Sequence, residues 1–461
     1  MLKVLRRESG FYRHLFSLML PIILQNLVTY SLGFLDTFML GQTGANEMSA
    51  VASANSAIFV LQYIIYGLTS GLGVLVAQYW GRKDMESINR CLGVALYIGL
   101  SLSSVIALTL FCFPSRVMAI LTNNPVLIEL GAPYLRWVGI AYVFNVISGT
   151  YVGLQRSTEN PKFGMQLYCV TMLVKTALNY ILIFGKCGMP ALGITGAALA
   201  TLCSRSLEVI IVGVHAACNR RTPLMLSALL RPGKEFFRKV IHISAPVVLN
   251  EGLWSAGFST ITVILGHMSI SAEMLAAYAV IGNIDQLATV SCYSIANSSA
   301  IIMGKRIGEG ASEDNVYSTG RSLITTAYLC GFAVSTILAI LLPTVFIPFL
   351  FPAFKLSPQA TQIATVMCIM YLLQLPLLSG NVTNLVGVLR AGGDTRMVAI
   401  LDILPVWLGS VAITALLALV LDAPIWLICL AAKSEALFQW PFVVWRLRSR
   451  KWINDITAKK V

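Results

Sequence analysis

Residues 218 to 240 read CNRRTPLMLSALLRPGKEFFRKV, with six cations in the stretch (Arg220, Arg221, Arg231, Lys234, Arg238 and Lys239) and long apolar runs on both sides. Short connections rich in Lys and Arg stay on the cytoplasmic face of a membrane. Working outward from this one, apolar stretches long enough to span (about 20 residues) cover 16–41, 49–79, 91–113, 131–154, 164–184 and 194–217 before it. After it come 241–267, 273–303, 322–350, 360–389, 397–420 and 425–445. The connections alternate between basic and nearly cation-free. Of 33 Lys and Arg, the odd-numbered loops hold only Arg116, Lys186 and Lys355, whereas Lys3, Arg6, Arg7 and Arg13 precede the first span. The expectation is an all-α membrane protein with twelve transmembrane helices and both ends in the cytoplasm. Its divisions are an N-terminal lobe at 1–217, an inter-lobe loop at 218–240 and a C-terminal lobe with a basic tail at 241–461.

Composition agrees. Hydrophobic residues make up 57% of the 461 and charged residues 11%, against about 25% charged in soluble domains. No room remains for a sizeable soluble domain. The net charge of +13 sits beside membrane segments, which points to anionic lipid headgroups rather than nucleic acid. The ten Cys are scattered without CxxC spacing and read as small packing residues, not as metal ligands. Neither His-Glu-x-x-His nor Gly-x-Ser-x-Gly occurs, so a membrane-embedded enzyme has no motif behind it.

The two sets of six resemble each other. Pro21 and Gly41 match Pro246 and Gly266 at an offset of 225, and Gly81 matches Gly308 at 227. Gly153-x-x-Arg156 aligns with Gly387-x-x-Arg390 at 234. Each half has an even number of spans, so the repeat is parallel, and a substrate is expected between the lobes.

Three stretches carry a further likeness: Gly33-Phe34-Leu35-Asp36-Thr37-Phe38-Met39-Leu40-Gly41, Leu178-Asn179-Tyr180 with Gly188-Met189-Pro190 after it, and Leu389-Arg390-Ala391-Gly392-Gly393-Asp394-Thr395-Arg396. Together they resemble the multidrug and toxic compound extrusion (MATE) family, especially its NorM-like branch, over essentially the whole chain. That resemblance implies the MATE fold of two six-helix lobes. It also implies a monomeric antiporter of the inner (plasma) membrane that exports organic, cationic compounds against Na+ or H+, with no other cofactor. A lipid-linked oligosaccharide or cell-wall precursor flippase is the alternative within the same superfamily.

A charged group at mid-bilayer costs at least about 2.5–3.5 kcal/mol, so each one inside a span needs a reason. Asp36 shares a helical stripe with Gln25, Thr29 and Leu32, beside Asn26 and Tyr30. It matches the family's first-helix acid, though a cap near the outer interface would also place it there. Glu251 matches the seventh-helix acid of NorM-like relatives, with Ser255 a turn later; pairing with a neighbouring helix is the other reading. Lys175 and Asn179 are four apart and share a face, and Lys175 is expected to neutralise a carboxylate or to snorkel. Arg205 and Glu208 are expected to pair within their helix. Asp285 and Asp402 are further candidates for substrate contact or charge relay. Two positions depart from family patterns: Ile183 stands where a proton-coupled branch has an Asp, and Leu378-Ser379-Gly380-Asn381 carries no acid where some sodium-coupled relatives do. The ion therefore stays open.

Overall fold

Caps and prolines mark where several helices of this chain begin. Asp84 accepts the Ser87 amide at 3.0 Å to open the third span, Asn124 accepts that of Val126 at 3.0 Å, and Ser357 accepts that of Ala360 at 3.1 Å. Pro125, Pro161 and Pro358 each occupy the first helical turn, where the missing N–H costs nothing. Gly185 ends the fifth span in the left-handed region at φ 66°, a conformation that favours glycine.

In the computed structural model, which describes residues 9–268, 270–354 and 356–458, the described chain is helical throughout. Eleven helices are long and apolar enough to cross a membrane, and a pair bent by 41° brings the number to twelve. They run Ser9–Gly41, Ala45–Gly81, Met85–Cys112, Pro125–Ser157, Pro161–Phe184, Gly193–Cys218, Lys234–Gly266, Ser271–Gly308, Glu313–Ala353, Pro358–Leu389, Thr395–Val420, and Ile425–Ala432 with Glu435–Arg448. Several begin earlier than their apolar windows: the fourth at Pro125 instead of 131, the seventh at Lys234 instead of 241, the ninth at Glu313 instead of 322. Polar first turns such as 313–321 are helical yet outside any hydrophobic window. The stretch 218–240 accordingly holds a short helix, Leu226–Leu230, and the opening turns of the seventh span.

Contacts divide the chain into two units, Pro21–Val248 and Met1–Leu20 with Leu249–Val461. Both division points fall beside a helix proline, Pro21 and Pro246. The first unit is built on Leu40, Ala50, Ala54, Ile58, Met118, Leu135 and Ala198, all buried. There Gly196 lies against the Leu182 carbonyl, where a Cβ would sit at 2.5 Å; small residues let membrane helices approach this closely.

The second unit packs around Ile261, Leu265, Met274, Ala277, Ile284, Phe351, Cys368 and Leu375. Gly387 in the tenth span rests on the Ala296 carbonyl of the eighth. Four stretches of this unit are π-helical: Leu342–Leu350, Thr383–Leu389, Pro405–Val411 and Leu416–Val420. After the last span the tail folds back on the 390–394 turn. Trp452 is fully buried with its carbonyl against Gly392, and the Asn454 amide donates to the Gly392 carbonyl at 3.1 Å. Large apolar side chains point outward from both units, among them Phe34, Leu173, Phe349 and Leu373, as a lipid-facing surface requires.

Candidate functional site

In the Pro21–Val248 unit the first and fifth spans bring three predicted residues together. Lys175 Nζ pairs with Asp36 Oδ2 at 2.5 Å, and Asn179 Nδ2 donates to Asp36 Oδ1 at 2.6 Å. Lys175 does not snorkel: its side chain is 10% exposed and that of Asp36 is 28%. The one-turn spacing of Lys175 and Asn179 presents an ammonium and an amide to the two oxygens of one carboxylate. Such charge-assisted bonds are about twice as strong as neutral ones. The far oxygen of Asn179, Oδ1, is buried without a hydrogen-bond partner. A separate group pairs Arg205 with both oxygens of Glu208 at 2.8 and 2.9 Å, and Ser148 Oγ donates to Glu208 at 2.8 Å.

Gln25 does not join Asp36. The eleven-residue step from one to the other rises about 16 Å along the helix, and the buried Gln25 packs near Gly164 with its Oε1 lacking a hydrogen-bond partner. Asn26 is half-buried and Tyr30 exposed.

The Leu249–Val461 unit holds two polar groups. In one, Glu251 Oε1 pairs with Arg390 at 3.1 Å. Beside it Asp402 accepts from Asn250 Nδ2 and from Gln439 Nε2, both at 2.8 Å. Asp402 has no ion-pair partner among the described residues, so two neutral carboxamides hold its charge, each bond contributing about 1.5–3 kcal/mol. Asn250 Oδ1 is buried and lacks a hydrogen-bond partner. Ser255, half-buried one turn beyond Glu251, accepts through its carbonyl from Ser259.

In the second group Lys433, at the break of the twelfth span, pairs with Asp285 of the eighth at 2.7 Å. Its ammonium lies 4.8 Å from the Phe258 ring centre and 5.9 Å from that of Tyr371. Glu435, buried nearby in sequence, accepts from Ser410 at 3.3 Å. Asp402 and Lys433 are both held by side chains of other helices.

Sequence reasoning missed Arg390, Asn250 and Gln439 as site residues. Arg390 was visible only as part of the Leu-Arg landmark, and lone carboxamides carry no spacing signal. Among the described residues no three His, Cys, Asp or Glu side chains converge as for a multivalent metal. An apolar groove of about 460 Å³ on the ninth and tenth spans, lined by Leu342, Pro343, Ile369 and Leu373, has no ionisable group in its lining.

Known proteins share this architecture. The family model MatE matches residues 21–181 and again 246–429, so its two matches begin at Pro21 and Pro246, the 225-residue offset of the sequence repeat. The chain is 27% identical over 420 residues to the multidrug resistance protein MdtK of Edwardsiella ictaluri, covering 88% of each. A MOP superfamily transporter from Pyrococcus furiosus superposes with a TM-score of 0.84 at 16% identity, over 97% of this chain and 98% of that one. A mutant of the Vibrio cholerae MATE transporter VcmN gives 0.82 at 20% identity, over 96% and 99%. At these identities the two structures speak for the fold alone.

Proposed function

The chain belongs to the MatE family of membrane transporters, and on that premise we propose that it exports organic cations from the cytoplasm, through the inner membrane, in exchange for an inward-moving Na+ or H+. The observation that carries this reading is a pair of tethered surrogates for the cargo. Lys433 places an alkylammonium on a carboxylate and over an aromatic ring, the chemistry by which proteins bind organic cations. Lys175 does the same on Asp36 without the ring. A cationic solute arriving at either carboxylate competes with an ammonium the protein already supplies, which lets it leave as readily as it binds.

Coupling requires that cargo and ion favour different states or contend for one site. In this reading the Asp402 carboxylate, beside the Glu251–Arg390 pair, receives the ion, and Asp36 and Asp285 meet the cargo. One elementary charge moving down about 100 mV releases about 2.3 kcal/mol, enough to hold a substrate gradient of the same order. Both ends of the chain lie in the cytoplasm, and the working unit is a monomer in the bilayer.

The flippase alternative fares worse on one point. Lys175, Arg205, Arg390 and Lys433 each face a carboxylate within 3.1 Å, so these intramembrane cations leave no surplus charge for a pyrophosphate.

Inverted vesicles loaded with separate sodium and proton gradients, with ethidium as the cargo, test the proposal. Asp36→Asn is expected to lose cargo transport. Glu251→Gln is expected to lose coupling, because it removes the acid paired with Arg390 beside the ion's seat. Full gradient-driven export by both variants would refute the assignment.

A further inference from the structure

We propose that the connection between the sixth and seventh spans is a binding site for anionic phospholipid. The short helix Leu226–Leu230 lies at the boundary between headgroups and acyl chains, and Arg231, Lys234 and Arg238 receive the phosphate. This goes beyond the efflux reading and depends on neither the cargo nor the coupling ion.

Three observations carry the inference. First, the connection is fastened along the flank of the third span. Asn89 Nδ2 donates to the Pro223 carbonyl at 3.0 Å, and its Oδ1 accepts from the Met225 amide at 3.1 Å. Gly93 lies against the Leu229 carbonyl with no room for a Cβ, and Tyr97 Oη donates to the Leu230 carbonyl at 3.0 Å. Asn89, Gly93 and Tyr97 recur every fourth residue and so form one stripe of the helix. Gly93 and Tyr97 fall inside the apolar window 91–113. The short helix is therefore level with the start of the hydrocarbon region, where a connection expected in the cytoplasm has no need to be.

Second, its outward side is apolar. Ala228 is buried, whereas Met225, Leu226 and Leu230 are 38%, 65% and 60% exposed. Leu226 and Leu230 are four apart and share a face. A connection surrounded by water is built from polar residues; an interfacial helix sinks its apolar face about 5–10 Å into the headgroup and acyl boundary. The backbone suits that depth, since the Leu229 amide donates to the Met225 carbonyl at 2.9 Å and the Arg231 amide to that of Ser227 at 3.1 Å.

Third, unspent positive charge borders this face. The stretch 218–240 carries six cations against one acid, Glu235. Two of the six are engaged: Arg221 lies 3.9 Å from Glu159, and Lys239 donates to the Tyr79 hydroxyl at 2.9 Å. Arg231, Lys234 and Arg238 are exposed and have no ion-pair partner among the described residues. Arg231 follows directly on Leu230, and Lys234 and Arg238 are one turn apart at the head of the seventh span. Cations of this kind draw anionic lipid, and their long stems let the charge reach the phosphate level. A dissolved anion would use the cations and leave the exposed leucines without a role.

The test is fluorescence anisotropy of nitrobenzoxadiazole-labelled phosphatidylglycerol, titrated with the purified full-length protein in detergent micelles. Wild type is expected to bind it saturably, with displacement by unlabelled phosphatidylglycerol and not by phosphatidylcholine or glycerol 3-phosphate. Each cation near an anionic lipid contributes about fivefold, so Arg231→Gln, Lys234→Gln and Arg238→Gln together should weaken binding about a hundredfold. Leu226→Ser with Leu230→Ser should weaken it about tenfold. Lys83→Gln with Lys162→Gln removes exposed cations elsewhere in the same unit and should leave the affinity unchanged. Displacement by glycerol 3-phosphate overturns the proposal in favour of a soluble anion. Unchanged affinity in the leucine variant overturns it too, and marks a purely ionic surface fit for an acidic protein. An equal loss in the Lys83/Lys162 variant reduces the effect to net charge and is equally fatal. If the triple variant does not fold, the leucine variant decides alone. None of these outcomes touches ethidium export, which the vesicle assay reads separately.

Discussion

The Glu251–Arg390 pair lends itself to a double-mutant cycle. At 3.1 Å and an effective dielectric of about 20, the two charges attract by about 5 kcal/mol. Taking each out of water costs several kcal/mol, so the intact pair is close to neutral against an uncharged replacement. Removing one partner is different, because it strands the other. Arg390 has a side chain 3% exposed and Glu251 one 16% exposed, so neither can recover its hydration by a small movement. Arg390→Met should therefore cost about 3–5 kcal/mol. Glu251→Gln should cost somewhat less, since its amide oxygen still accepts from the guanidinium. The double variant should lie within about 1 kcal/mol of wild type, a coupling energy of at least about 2 kcal/mol, in the upper range for contacting residues. The cycle cancels whatever else Arg390 touches. Reversible unfolding in mixed micelles by titration with sodium dodecyl sulfate, followed by tryptophan fluorescence, measures all four corners. Single losses that add up to the double loss within about 0.5 kcal/mol would mean that the pair is not coupled and that Glu251 is free to serve the ion.

Two further outcomes follow from the geometry. Lys175→Met removes the ammonium that occupies Asp36, leaving the carboxylate held by Asn179, and should tighten ethidium binding about tenfold, or about 1.4 kcal/mol; unchanged or weaker binding by fluorescence anisotropy would show that Asp36 is not where the cargo sits. Trp452→Ala empties the pocket over Gly392 at a cost of about 3–5 kcal/mol, so limited proteolysis should cut the tail after Arg448 much faster than in wild type, with the spans intact. A tail equally resistant in both proteins would mean that the Trp452 contact does not hold it.

The helices were legible because the bilayer imposes one requirement on every span, and apolar length with alternating loop charge records it directly. The repeat was legible through residues with backbone roles, Pro21 and Pro246, Gly81 and Gly308, which keep their places while side-chain chemistry drifts. Asp36, Lys175 and Asn179 could be nominated together because two of them lie one turn apart on one helix. The rest was hidden by distance along the chain. Lys433 meets Asp285 across 148 residues, and Gln439 meets Asp402 across 37; helix periodicity places a residue on a face but not against its partner. Arg390 lies just past the apolar window 360–389, and its pairing with Glu251, 139 residues away, leaves no mark in the sequence. The helix ends were misjudged for a simpler reason: polar turns such as 313–321 are helical without being apolar.

The π-helical stretches add one more consequence. A wide turn carries one residue more than an ordinary turn, so sliding it along a helix rotates the residues it passes by about 100° while the helix stays whole. Thr383–Leu389 ends directly at Arg390, and Pro405–Val411 begins three residues after Asp402. The guanidinium and the carboxylate that face the seventh span thus each sit at the edge of a stretch with built-in slack. The Pro21–Val248 unit has no such stretch among its described residues. The two repeats share a form but not this local slack: one half carries wide turns beside its charged residues, and the described helices of the other do not.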